Sequence, residues 1–149
     1  MEVNSIAGIR HDVAAVASFL GANEEAVERV RLAVSEASTS IVQNVFEHAS
    51  GRIHVTLSPL DEEHIAVTVS DEGNGAVQRN LEAALGLGFI VMRECADALK
   101  LRQPPSGGVE VEMHFARRPA ADRIRARGEA AAPATDAMVG EIAFDPASS

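Results

Sequence analysis

From Val27 onward, Val30, Val34, Ala37, Ile41, Val45 and His48 follow in steps of three and four. That spacing predicts one amphipathic helix of roughly six turns, which needs a surface against which to bury its apolar stripe. Asn23 followed by Glu24 and Glu25 reads as its N-cap with acids in the first turn, and Ser50-Gly51 as its end. The surface comes from alternation. Ile53, Val55 and Leu57 share one face of a strand over 52–58, residues 59–63 turn the chain, and Ile65, Val67 and Val69 form the second arm of a hairpin. Near the end, Val109, Val111, Met113 and Phe115 alternate with Glu110, Glu112 and His114 as a last strand. Before the long helix, Ile9, Val13, Val16, Ala17 and Leu20 predict a first helix ending at Gly21, with residues 2–6 as a short strand. After the hairpin, residues 76–85 read as a short connection with weak helical character. A helix then opens at Gly86-Leu87-Gly88, with Leu87, Ile90, Val91, Cys95 and Ala98 as apolar positions. Pro104 to Gly108 is a turn. The order helix, helix, hairpin, helix, strand predicts an α+β fold: a two-layer α/β sandwich whose antiparallel-rich mixed sheet carries its helices on one face.

A chain of 149 residues is about one domain long. Residues 1–118 carry the patterned elements and 119–149 shift to Ala, Arg, Glu and Pro, an expected tail that is disordered or docks a short segment around 138–144. With five Phe and no Trp or Tyr, the core must be aliphatic. The formal charge of -9 argues against direct nucleic-acid contact, which needs a basic face, and sits better with a protein partner. Arg117, Arg118, Arg123, Arg125 and Arg127 form a local basic segment, read as a solubilising stretch or as a contact for an acidic partner. The lone Cys95 excludes an internal disulfide and reads as a small buried hydrophobe. No run approaches the ~18 apolar residues of a membrane span, and residues 1–12 lack a secretory pattern. The expectation is a cytoplasmic protein that does not engage membrane.

Three groups of residues can carry chemistry. Glu36, Ser40 and Asn44 are successive i, i+4 neighbours beside the apolar stripe, either facing a ligand or forming a solvated helix edge. Asp71-Glu72-Gly73-Asn74-Gly75 closes the hairpin, as a plain turn or as a carboxylate and two close-approach glycines that accept an exocyclic amine. Gly86-Leu87-Gly88 heads a helix, as a packing glycine or as an anion site of bare N–H groups. His11, His48, His54, His64 and His114 show no metal-ligand spacing, and Asp61, Glu62 and Glu63 read as a solvated acidic turn.

Taken together and in order, residues 32–39 on the long helix, Asp71 to Gly75, Gly86 to Ile90 and Gly107-Gly108-Val109 resemble the N, G1, G2 and final glycine boxes of GHKL ATPases. Within that superfamily the wording is similar to the anti-sigma factor serine kinases (RsbW-like), and the resemblance covers residues 9–116. It implies an ATP-binding, Mg²⁺-dependent protein serine/threonine kinase that phosphorylates an anti-sigma factor antagonist, partners a sigma factor, and leaves room for a homodimer. It implies Glu36 as the general base. It also implies Asp71, Gly73, Gly75, Gly86, Leu87, Gly88 and Ser40 as nucleotide contacts, with Ser40 doubling as the metal ligand.

The chain departs from that pattern in places. Ser40 stands where the family has a magnesium-chelating Asn, Asn44 where it has His, Val109 where Thr is common, and the link from Gly75 to Gly86 is short for a lid. A rival register uses Asn44 and His48 as the family's Asn and His and puts Ser40 at the base position. The alternative function is a non-catalytic nucleotide- or protein-binding module of the same fold.

Overall fold

The structure is a computed structural model of the chain and describes residues 6–45, 51–71, 80–104, 107–118 and 137–144. Helix α1 spans Ile6–Phe19. Ile9, Val13, Ala17 and Leu20, one turn apart, are buried on its inner face. Gly21, at φ 99°, turns the chain in the left-handed region that side chains disfavour. Asn23 then caps α2 (Glu24–Ser40), its side chain accepting from the Ala26 N–H at 2.9 Å. Ala26, Val30, Ala33, Val34, Ala37 and Ile41 are buried. The long helix read from the sequence therefore holds, but it ends differently. Past Ser40 the coil widens into one π-helical turn, Ile41–Val45, and His48 lies outside the described residues.

Strands β1 (Gly51–Pro59) and β2 (His64–Asp71) pair antiparallel from Ile53 opposite Asp71 to Pro59 opposite Ile65. Asp61 shapes the turn between them by accepting from the Glu63 and His64 N–H groups at 2.8 Å each. Short helix α3 (Leu81–Leu85) leads through Gly86 into α4 (Leu87–Cys95), followed by β3 (Ala98–Arg102), β4 (Glu110–Ala116) and β5 (Ala137–Phe144). The sheet order is β3-β4-β2-β1-β5, and every pairing in it is antiparallel. Ile53, Val55 and Leu57 of β1, Ile65, Val67 and Val69 of β2, and Val111, Met113 and Phe115 of β4 are fully buried. Those rows face the helices, giving the two-layer α+β arrangement that the alternation implied.

Ile6, expected in a short strand over 2–6, opens α1 instead, and residues 2–5 lie outside the described residues. Three more details differ from the sequence reading. Helix α4 stops at Cys95, and Ala98 opens a strand instead of ending the helix. Its inward residues are Gly88, Met92 and Cys95, whereas Leu87 is 77% exposed and Ile90 45%. The run LGFIVMREC is apolar almost all round, so periodicity alone could not choose its buried face. Finally, residues 137–144 pair along β1 as β5, so part of the Ala-rich segment past residue 118 belongs to the sheet. Residues 119–136 lie outside the described residues.

Arg117 also behaves differently from its basic neighbours in sequence. It is 6% exposed, its Nη1 donates to the Glu62 carbonyl at 3.1 Å, and its backbone N–H donates to the Glu63 carbonyl at 2.8 Å. Its own carbonyl accepts from the Asn23 N–H at 2.8 Å. Burial pulls its pKa down, with the nearby Asp61 carboxylate opposing. One residue thus joins the α2 entry to the β1-β2 turn.

The orientation of α4 is testable by truncation. Met92→Ala should cost about 2–5 kcal/mol of unfolding free energy and Leu87→Ala within about 0.5, read as shifts of the urea midpoint at constant slope. The reverse ranking would mean that α4 is rotated.

Candidate functional site

The polar edge of α2 and the head of α4 meet. Gly88 is buried against α2: a Cβ added to it would overlap the Ser40 hydroxyl and lie 3.2 Å from the Glu36 carbonyl oxygen. Only glycine permits that approach. Ser40 beneath it is 5% exposed, and Glu36, one turn earlier, is half-buried. Gly86 serves as the end of α3 and the start of α4 at φ 62°, donating to the Glu82 carbonyl at 3.1 Å. It offers no side-chain cap, so the first turn of α4, containing Leu87 and Gly88, presents N–H groups without a capping side chain. An uncapped helix head is the positive end of the helix dipole and favours an anion. The predicted Glu36, Ser40, Gly86, Leu87 and Gly88 therefore lie along one α2-α4 junction.

Asp71 ends β2, and α2 packs across β2 and β4. Its N–H donates to the Val109 carbonyl at 3.2 Å and its Oδ1 accepts from the Val109 N–H at 3.3 Å. Gly107 at φ 95° and Gly108 at φ 84° make the turn that delivers Val109 there. This link was not foreseen, because the sequence marks Val109 only by its side chain whereas its backbone makes the contact. Gly73 and Gly75 lie outside the described residues, as does the side chain of Asn44.

Of the remaining candidates, His64 and His114 are each held by a carboxylate, and His48 lies outside the described residues. His64 Nδ1 lies 3.0 Å from Asp61 and His114 Nε2 lies 2.7 Å from Glu112. The hydrogen bond to His114 holds the Glu112 carboxyl below its usual range; burial opposes this and Arg102 reinforces it. Cys95 is buried, and burial pushes its thiol pKa up, away from the reactive thiolate. Among the described residues no group of three or more His, Cys, Asp or Glu is placed to hold a metal ion. The expected metal ligand Ser40 does not fit that role as folded, because Gly88 covers its hydroxyl.

Comparison with known proteins addresses the same elements. Residues 1–115 match the histidine kinase-like ATPase domain. That match spans both helices, the hairpin and the α4 junction. This chain belongs to the histidine kinase-like ATPase family. Within the family it is 34% identical over 112 residues to an anti-sigma F factor of Caldanaerobacter subterraneus subsp. tengcongensis, covering 68% of this chain and 78% of that protein. It is 28% identical over 117 residues to the anti-sigma F factor of Clostridium acetobutylicum, covering 70% and 80%. It is also 32% identical over 81 residues to the serine-protein kinase RsbW of Bacillus cereus, covering 54% of this chain and 50% of that protein. The ATPase domain ends before β5, so the sheet's β5 edge is an addition to the matched region.

The glycine seat can be tested by a double-mutant cycle. Gly88→Ala should destabilise the domain by about 1–3 kcal/mol. Ser40→Ala, by removing the hydroxyl the new methyl meets, should recover part of that loss, with a coupling of about 0.5–3 kcal/mol in chemical denaturation. Strict additivity would separate the two residues.

Proposed function

We propose that this chain is an ATP-dependent serine-protein kinase of the anti-sigma factor type, which holds a sigma factor and phosphorylates a serine on an antagonist protein. The observation that carries the reading is the Gly88 seat, which brings the uncapped head of α4 against the Glu36 turn of α2. Phosphoryl transfer is chiefly a matter of position and charge. It needs an anion cradle, an in-line hydroxyl and a base within reach. The names of the relatives, anti-sigma F factor and serine-protein kinase RsbW, support the same reading.

In this scheme the N–H groups at the start of α4 take the nucleotide phosphates, with Gly86 and Gly88 leaving room for them. Asp71, held at the β2 end by Val109, accepts the exocyclic amine of adenine, and Gly73 and Gly75 shape the base pocket. Glu36 takes the proton from the attacking serine hydroxyl as the serine oxygen bonds to the γ-phosphorus. The bond from that phosphorus to the bridging oxygen breaks, and ADP leaves. A family member of this kind draws charge neutralisation from Mg²⁺, and Ser40, nearly buried beneath Gly88, is a poorly placed ligand for it.

The covered Ser40 also favours a second reading, a module that binds nucleotide and switches partners by occupancy without transfer. One experiment separates the two. With labelled ATP, Mg²⁺ and a panel of antagonist proteins, Glu36→Gln should lower the transfer rate by about 100- to 10,000-fold. Calorimetric ADP affinity should stay within about threefold, because a base acts on the transition state and not on the bound nucleotide. Asp71→Asn should instead weaken ADP binding by about tenfold or more, since the amide presents a donor to the adenine amine. Equal transfer by wild type and Glu36→Gln would remove the assigned base, and tight ADP binding with no transfer to any antagonist would favour the occupancy reading.

A further inference from the structure

We propose that β5 is an edge cap on a self-complementary strand: it covers β1, and where β5 is released two copies of this chain join β1 to β1 about a twofold axis. The sheet order β3-β4-β2-β1-β5 ends in two outer strands, and each is guarded against pairing with another chain. Strand β3 is only five residues long, and its exposed Lys100 and Arg102 place cations along it. Strand β5 is broken in register. Val55 stands opposite Gly140 and Thr56 opposite Met138, so Val139 is an extra residue that bulges the outer strand near its middle. The strand beneath it is regular. β1 is nine residues long and pairs with β2 without interruption from Ile53 to Pro59. It contains no acid, and Arg52 and Pro59 lie near its ends. The regular edge is thus inside and the irregular one outside, the arrangement that keeps a sheet from growing into its neighbours.

The sequence of β1 selects a second copy as the occupant. With Val55, the middle residue of Gly51–Pro59, on a twofold axis normal to the sheet, antiparallel pairing sets Ile53 opposite Leu57 of the second copy, His54 opposite Thr56 and Arg52 opposite Ser58. Ile53, Val55 and Leu57 are fully buried on the helix side, so the two inward rows continue one core. Like charges stay apart, because the two Arg52 positions fall about 20 Å from each other along the strand pair, well beyond the ~8 Å screening length. β5 is the poorer complement: the bulge interrupts its ladder on β1, and Gly140, a weak strand former, stands opposite Val55. It is also the strand that the ATPase domain match over residues 1–115 does not include, so its release leaves the matched elements in place. The inference uses neither Glu36 nor the nucleotide site, and stands whichever way the transfer assay falls.

Release is tested in the full chain with Glu141→Pro and Ile142→Pro combined. Successive residues of a strand turn their N–H groups alternately toward and away from one neighbour, so one of the two prolines removes a donor to β1 whatever the phase. Wild type should sediment as a monomer up to about 100 µM, and the proline variant as a dimer with a dissociation constant of about 10 µM or lower. An excess of a peptide of residues 137–144 should return the variant to monomer, where a scrambled peptide does not. Charge reads the register. In the proline variant, adding His54→Asp with Thr56→Asp sets carboxylates opposite each other across the axis and should weaken the dimer about tenfold, whereas His54→Asp with Thr56→Lys sets opposite charges together and should retain it. Circular dichroism establishes whether the proline variant folds; should it not, hydrogen exchange on wild type decides, where β5 amides should exchange at least about tenfold faster than those of β2. A dimeric wild type or a folded proline variant that stays monomeric would overturn the proposal. So would a dimer indifferent to the charges at 54 and 56, a 137–144 peptide no better than its scramble, or β5 amides as protected as those of β2.

Discussion

The approach of α4 to α2 through Gly88 is the contact on which the site depends. Two helices come this close only where one of them lacks a side chain, and here the missing Cβ would overlap the Ser40 hydroxyl. The departure from the GHKL pattern at Ser40 places a short side chain beneath Gly88. That packing sets the head of α4 beside Glu36 and withdraws Ser40 from solvent. The uncapped head of α4 and the Glu36 turn thus share one junction, with Ser40 nearly buried between them.

Two further links hold the frame around that junction. Asp71 and the Val109 backbone exchange hydrogen bonds, fixing the end of β2 to the turn that opens β4. Arg117, at the far end of β4, ties the Asn23 cap of α2 to the β1-β2 turn. The strand between these contacts runs through the core with Val111, Met113 and Phe115 fully buried. Helix α2 is therefore referenced to the sheet at its entry by a buried arginine and along its length by packing on β2 and β4. The buried Arg117 guanidinium donates from Nη1 to a backbone carbonyl, that of Glu62, which offsets part of its desolvation, while its Nε has no hydrogen-bond partner among the described residues.

The elements with a clean period were legible. Ile9, Val13, Ala17 and Leu20 of α1, Val30, Val34, Ala37 and Ile41 of α2, and the inward rows of β1, β2 and β4 emerge buried as their spacing implied, with Val16 and Val27 only partly so, because one periodicity dominated each element. The elements without one were not. Helix α4 is apolar on several faces, β3 is five residues long and follows the helix after only two, and β5 sits in a composition poor in large apolar residues. Each is fixed by tertiary pairing and not by local pattern. At the site, residue types and order pointed to Glu36, Asp71 and the Gly86-Leu87-Gly88 head, and the α2-α4 meeting emerged in the structure. The Ser40 burial, the Val109 backbone link and the Arg117 joint depend on which atoms face each other, which no one-dimensional spacing carries.

The same property that hid α4 from a periodic reading explains how it serves two surroundings. Gly88, Met92 and Cys95 recur at four and three residues and face α2 and the core. Phe89, Arg93 and Ala96 recur with the same spacing one residue later, about 100° around the helix, and line a cavity beside β3. Leu87 and Ile90 fall on the remaining side of the helix, away from both faces, and stay exposed. A helix packed on one side needs one apolar stripe; a helix that is both a lid on α2 and a wall of that cavity needs two. A nine-residue run that looks over-hydrophobic for a surface helix is the sequence such a position requires.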